Sequence, residues 1–223
     1  MPTDAPIPTL LSLLHEPAVD HSGARRFRGE PVLAWTLRRL RAAGDAVGVV
    51  AILCWDDQLA AVDPVATAGG ASVVSQCLRA PVPALDAVAA ARRWADGWRG
   101  GLLGTSAFDA GYHGPAVREA ADRFGAAAVL LVDPAAGLVD PSLIAAVVGR
   151  WREQPDLDFA FTPAAAGLGC MLLARPLVDR LAAAGTHPGR VLHYFPDQLS
   201  REPIAGDACA PTPAAAARST YRY

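Results

Sequence analysis

The chain has 223 residues, with 20 cationic side chains that are all arginine and 22 carboxylates, giving a net charge of −2 and a pI near 6.2. This near balance offers no electrostatic basis for binding nucleic acid. The mean hydropathy of +0.23 comes from alanine rather than from an uninterrupted apolar stretch, which excludes a transmembrane span.

In chain order, 7–14 (IPTLLSLL) reads as a buried strand and 15–30 (HEPAVDHSGARRFRGE) as a polar loop. Pro31 stands at a favoured first helical position, and Leu33, Leu37 and Leu40 recur at helical spacing up to Gly44. Val47–Leu53 is β-branched and apolar, a strand buried on both faces, and Asp56 and Asp57 follow its end. Gln58–Ala68 is a weak helix marred by Pro64, and Ala71–Ser75 a short strand. A helix over Pro83–Asp96 leads into Gly97–Gly114, where six glycines suggest a functional loop. Next come a helix over Pro115–Phe124 and the strongest strand, Ala126–Val132, which runs into Asp133-Pro134. Asp140 and Pro141 open another helix as N-cap and first residue. Strands at Leu157–Thr162 and Leu168–Ala174, a helix over Pro176–Ala184 and an irregular tail from Thr186 complete the chain. This alternation describes one α/β domain over 1–223, a doubly wound, mostly parallel sheet with one late antiparallel strand in a three-layer α/β/α arrangement.

The absence of lysine removes any Schiff base, ammonium nucleophile or lysine phosphate grip, and with it the usual P-loop NTPases and kinases. Cys54 and Cys170 sit in apolar runs and read as core residues; no Cys/His cluster has zinc spacing. Few cysteines and no leader-like opening segment point to a cytoplasmic protein. The five tryptophans read as packing. The five histidines (His15, His21, His113, His187, His193) read as loop or surface residues.

Two places carry candidate chemistry. A loop between the first strand and first helix of such a sheet is a natural phosphate site, because backbone N–H groups and the helix dipole favour anions. Gly23, Arg25, Arg26 and Arg28 there suit a triphosphate, or else form a solvated loop face. Asp133 is a hard oxygen donor at a strand end, suited to Mg²⁺ bridging nucleotide phosphates, or else a turn residue before proline. Asp56 reads as the cap of the following helix.

The segment Gly29-Glu30-Pro31-Val32-Leu33-Ala34-Trp35-Thr36-Leu37 resembles the G-K-P-L-L-x-x-T-L start of the first helix in nucleotidyltransferases of the nucleotide-diphospho-sugar transferase fold. Val129–Pro134 with Leu138–Ile144 resembles their V-V-x-x-D-x-P-L-(I/V)-x-P-x-x-I segment, and Leu168–Leu181 is similar to the strand and helix beyond it. The resemblance spans about residues 7–185 and is nearest to the cytidylyltransferase-like group, which includes CMP-sugar synthetases, methylerythritol cytidylyltransferases and molybdenum-cofactor nucleotidyltransferases. It implies an Mg²⁺-dependent nucleotidyl transfer from a nucleoside triphosphate to a sugar or phosphate acceptor, and a homodimer or a partner enzyme as associate. On that resemblance Asp133 and Asp207 are the metal carboxylates, His15–Arg28 is the phosphate loop, and Arg25 and Arg26 supply its catalytic charge. The chain departs from the pattern in its phosphate loop: the G-x-G-x-R glycines are reduced to Gly23, and Glu30 replaces the G-K-P lysine. That departure implies the alternative of a catalytically degenerate binding or partner module. A third reading, a glycosyltransferase of the related GT-A fold, rests on Asp156-Leu157-Asp158 as a D-x-D pair.

Overall fold

A computed structural model describes residues 7–83, 85, 86, 89, 112–161 and 167–184. Eight strands are described: β1 (Thr9–Ser12), β2 (Arg26–Phe27), β3 (Glu30–Pro31), β4 (Val50–Cys54), β5 (Ser72–Ser75), β6 (Ala128–Val132), β7 (Phe159–Phe161) and β8 (Met171–Ala174). The full-length described helices are α1 (Val32–Arg41), α2 (Leu59–Ala68), α3 (Gly114–Arg123), α4 (Pro141–Glu153) and α5 (Arg175–Ala184).

Six strands form one sheet in the order β5-β4-β1-β6-β8-β7. β1, β4, β5 and β6 pair in parallel, while β8 runs antiparallel to both β6 and β7. The expected single antiparallel strand is therefore β8. The inner strands β1, β6 and β8 are buried along their whole length, whereas the edge strands β5 and β7 are only half-buried. In β6, Ala128, Leu130 and Val132 pack with α1, α2 and α4, whereas Val129 and Leu131 pack with α3 and α5. Fully burying a leucine such as Leu130 contributes about 1.5–3 kcal/mol. These two cores give the three layers. No described helix is long and apolar enough to cross a membrane.

Three local readings are revised. Pro31 is the N-cap of α1 rather than its first helical residue, and α1 ends at Arg41, before a short 3-10 turn over Gly44–Ala46. Pro64 does not break α2, because it lies on the exposed side, where solvent can take the carbonyl its missing N–H leaves. The loop 15–30 contains a hairpin, β2–β3. Its two-residue turn places Arg28 at φ 51° and Gly29 at φ 83°, the left-handed pair that a type I′ turn requires. The helix expected over Pro83–Asp96 is described only in part, and most of the glycine-rich segment and the tail from Gly185 lie outside the described residues.

Strand order turns back at β1, since β4 and β5 lie to one side of it and β6 to the other. The exits of β1 and β6 therefore stand side by side at the carboxyl edge of the sheet, where open α/β sheets bind ligands.

Candidate functional site

Past β1 the chain runs through a long loop whose centre is Glu16. This side chain is 4% exposed. Its two carboxylate oxygens accept hydrogen bonds from the Ser22 backbone N–H at 2.5 Å and the Ser22 hydroxyl at 2.7 Å. The Arg25 guanidinium stands 3.7 Å away, and His15 Nε2 4.0 Å away. Burial pushes the Glu16 carboxyl above its ordinary range; the Ser22 bonds pull it back, the charge of Asp133 raises it further and Arg25 lowers it.

The rest of the loop is fastened from several sides. Gln58 is completely buried: its Nε2 donates to the carbonyls of Leu13, Glu16 and Pro17 at 3.1, 3.2 and 3.2 Å, and its Oε1 accepts from the Trp55 N–H at 3.0 Å. Arg79 donates to the Glu16 carbonyl at 3.0 Å and grips Asp57 with two bonds of 2.7 and 3.1 Å. Asp57 thus holds a cation that braces the loop. Asp56 does not cap α2 as expected; it accepts from the Ser75 hydroxyl and opens a 3-10 turn over Asp56–Gln58, and the N-cap position of α2 is Gln58, which makes no side-chain cap bond.

His15 and His21, expected as loop or surface residues, lie in the loop but are buried, at 4% and 1% exposure. His21 Nδ1 accepts from the Gly23 N–H at 3.2 Å, and burial lowers its proton affinity, so the ring is held neutral. Gly23 is closely packed: a Cβ there would meet the His21 ring and Val62 Cγ2 at 3.1 Å, so those side chains would have to shift.

The predicted phosphate arginines are placed differently from one another. Arg25 lies between Glu16 and Asp20, 3.6 Å from the latter. Arg26 donates to the Gly29 carbonyl at 2.7 Å, bracing the hairpin. Arg28 sits at the hairpin tip, with its guanidinium carbon 5.6 Å from the Phe27 ring centroid. The amino end of α1 is closed by the loop itself: the Val32 N–H donates to the Arg25 carbonyl and the Leu33 N–H to the Ser22 carbonyl, at 2.9 and 3.0 Å.

Asp133 follows β6 directly. One of its oxygens accepts from the Ala135 N–H at 2.8 Å, forming the turn that its proline neighbour also favours. The Thr36 hydroxyl, buried in α1, donates to the Pro134 carbonyl at 2.8 Å and fixes this turn to the first helix. Asp133 and the β1–α1 loop are thereby brought together, and Asp207 lies outside the described residues. Among the described residues no group of three or more His, Cys, Asp or Glu is arranged to hold a metal ion. Asp158 is bound by Arg180 at 2.5 Å and precedes β7, which runs parallel to β6; it therefore stands at the amino edge, away from this site.

Glu16, Gln58 and Arg79 were not legible as site residues. Their signal is only that Glu16 and Gln58 are polar residues close to apolar strand ends, which does not distinguish a buried anchor from a surface residue.

The sequence matches no family model and no curated protein. Solved structures do match. One is a cytidylyltransferase from Leptospira borgpetersenii serovar Hardjo-bovis (strain JB197), with a TM-score of 0.55 and 13% identity over 81% of this chain. The match covers 64% of that protein, so the chain spans less than two thirds of its length. Another is a CMP:2-keto-3-deoxy-manno-octonic acid synthetase complexed with CTP, with a TM-score of 0.53 and 10% identity over 84% of this chain and 81% of that one. At such identities it is the fold that is shared: the chain has the mostly parallel α/β fold of these two proteins.

Proposed function

We propose that the chain is a nucleotidyltransferase of the cytidylyltransferase-like kind, transferring a nucleotidyl group from a nucleoside triphosphate to a sugar or phosphate acceptor with Mg²⁺. The observation that carries this reading is Asp133 at the exit of β6, beside the long β1–α1 loop, in the fold of proteins of which one was solved with CTP. Asp133 fits Mg²⁺, a cation that takes one or two protein carboxylates and completes its shell with water and phosphate oxygens. Bound there, the ion would neutralise phosphate charge as pyrophosphate leaves. Arg25 and Arg26, in the loop that matches the family's phosphate loop, would offset the same charge. Thr36 keeps the Asp133 turn against α1, so the carboxylate is held rather than free to swing.

Incubation with each nucleoside triphosphate, Mg²⁺, pyrophosphatase and a panel of sugar-acid and phosphate acceptors tests this. Phosphate release that Asp133→Ala abolishes supports the mechanism; release that survives Asp133→Ala refutes it. A second reading, a binding or partner module without transfer, is favoured by one observation: the loop donors already face Glu16, and the amino end of α1 already faces loop carbonyls. Absence of release with every triphosphate and acceptor selects that reading.

A further inference from the structure

We propose that the Glu16 carboxylate is a built-in anion that occupies the phosphate position of the β1–α1 loop, so that any polyphosphate must displace it to bind. The location of that position rests on the function proposed above; the occupancy does not depend on transfer chemistry.

Three kinds of donor suit a phosphate: a backbone N–H, a hydroxyl and a guanidinium. At the exit of β1 all three converge on one carboxylate. The Ser22 N–H and the Ser22 hydroxyl each hold one oxygen of Glu16, and Arg25 stands within ion-pair distance. Only this side chain in the loop brings a negative charge to a buried position; Asp20, the other loop acid before the hairpin, is 75% exposed. The amino end of α1, the other anion-binding feature of such loops, faces the carbonyls of Arg25 and Ser22. Moving Glu16 out would free both Ser22 donors at once and leave Arg25 to its exposed partner Asp20, 3.6 Å away. Burial opposes the charge that the donors favour, so the carboxylate is held against a desolvation cost and is displaceable by a better-matched anion.

The test is binding of inorganic pyrophosphate, measured by calorimetry on the wild-type chain, Glu16→Gln, Glu16→Ala, and Glu16→Gln combined with Arg25→Ala. Removing the internal competitor is expected to tighten pyrophosphate binding by at least about tenfold, the effect of one charge-assisted hydrogen bond. The gain should vanish when Arg25 is also removed. Equal affinities in wild type and Glu16→Gln, no binding by any of the four, or a gain that survives Arg25→Ala overturns the proposal. Should the substitutions prevent folding, the carboxyl carbon NMR resonance of Glu16 in the wild-type chain decides. Movement on saturation with pyrophosphate supports displacement, and an unmoved resonance overturns it. Pyrophosphate binding gained without any nucleotidyl transfer leaves this inference standing and removes the transferase reading; transfer with unchanged pyrophosphate affinity in Glu16→Gln does the reverse.

Discussion

Replacing Gln58 measures how firmly the loop is fastened to the sheet. Gln58→Leu keeps the side-chain volume roughly constant, so little cavity is created, and it removes four hydrogen bonds at once. The losses are unequal. The Leu13 carbonyl keeps the Glu16 N–H at 2.8 Å, and the Glu16 carbonyl keeps Arg79 at 3.0 Å. The Trp55 N–H loses its partner in a buried setting and bears the largest cost, with the Pro17 carbonyl next. A buried orphan costs about 1–3 kcal/mol and each doubly satisfied carbonyl less, so Gln58→Leu should destabilise the fold by about 3 kcal/mol. For a chain of this size that corresponds to a fall in Tm of about 6–12 °C. Gln58→Glu should be worse at neutral pH. It keeps an acceptor for Trp55 but sets a carboxylate against three carbonyl oxygens and supplies them no donor. Urea denaturation of the three proteins followed by fluorescence checks the order wild type, Gln58→Leu, Gln58→Glu. Gln58→Leu within about 0.5 kcal/mol of wild type would refute the account, because that is the range of ordinary surface substitutions.

Two further outcomes follow from the buried groups. Glu16 has a native pKa raised above its ordinary 4.5, so its contribution to stability is full below that value and is lost as pH rises through the raised one. The stability of wild type relative to Glu16→Gln should therefore decline with pH above about 4.5; paired denaturation curves that show a flat or rising difference contradict the assignment. Cys54 is buried and its thiol is pushed up to about 12, Cys170 is buried, and Cys77 is exposed. Among these three, iodoacetamide should modify Cys77 alone in the native state, and peptide mapping that finds Cys54 modified before unfolding would show that the core is open at β4.

The order of elements and the fold class were legible because apolar runs and helical spacing are local properties. AVLLV at β6 needs no partner to announce a strand buried on both faces, and Val32–Leu40 repeats on one helical side wherever it packs. The position of Asp133 at a strand end was legible for the same reason, since it directly follows β6. What the loop 15–30 does was not local. Arg28-Gly29 is a hairpin tip only because Arg26–Phe27 and Glu30–Pro31 pair, and His15 and His21 are buried only once the loop has folded. Arg25, Arg26 and Arg28 look alike along the chain, yet one faces Glu16, one braces a turn and one lies over Phe27. The sequence by itself determined that this protein has no lysine with which to grip a phosphate. Only the tertiary structure decided where the Ser22 and Arg25 donors point: at a buried carboxylate of the same chain, because long-range contacts from Gln58, Arg79 and α1 hold Glu16 within their reach.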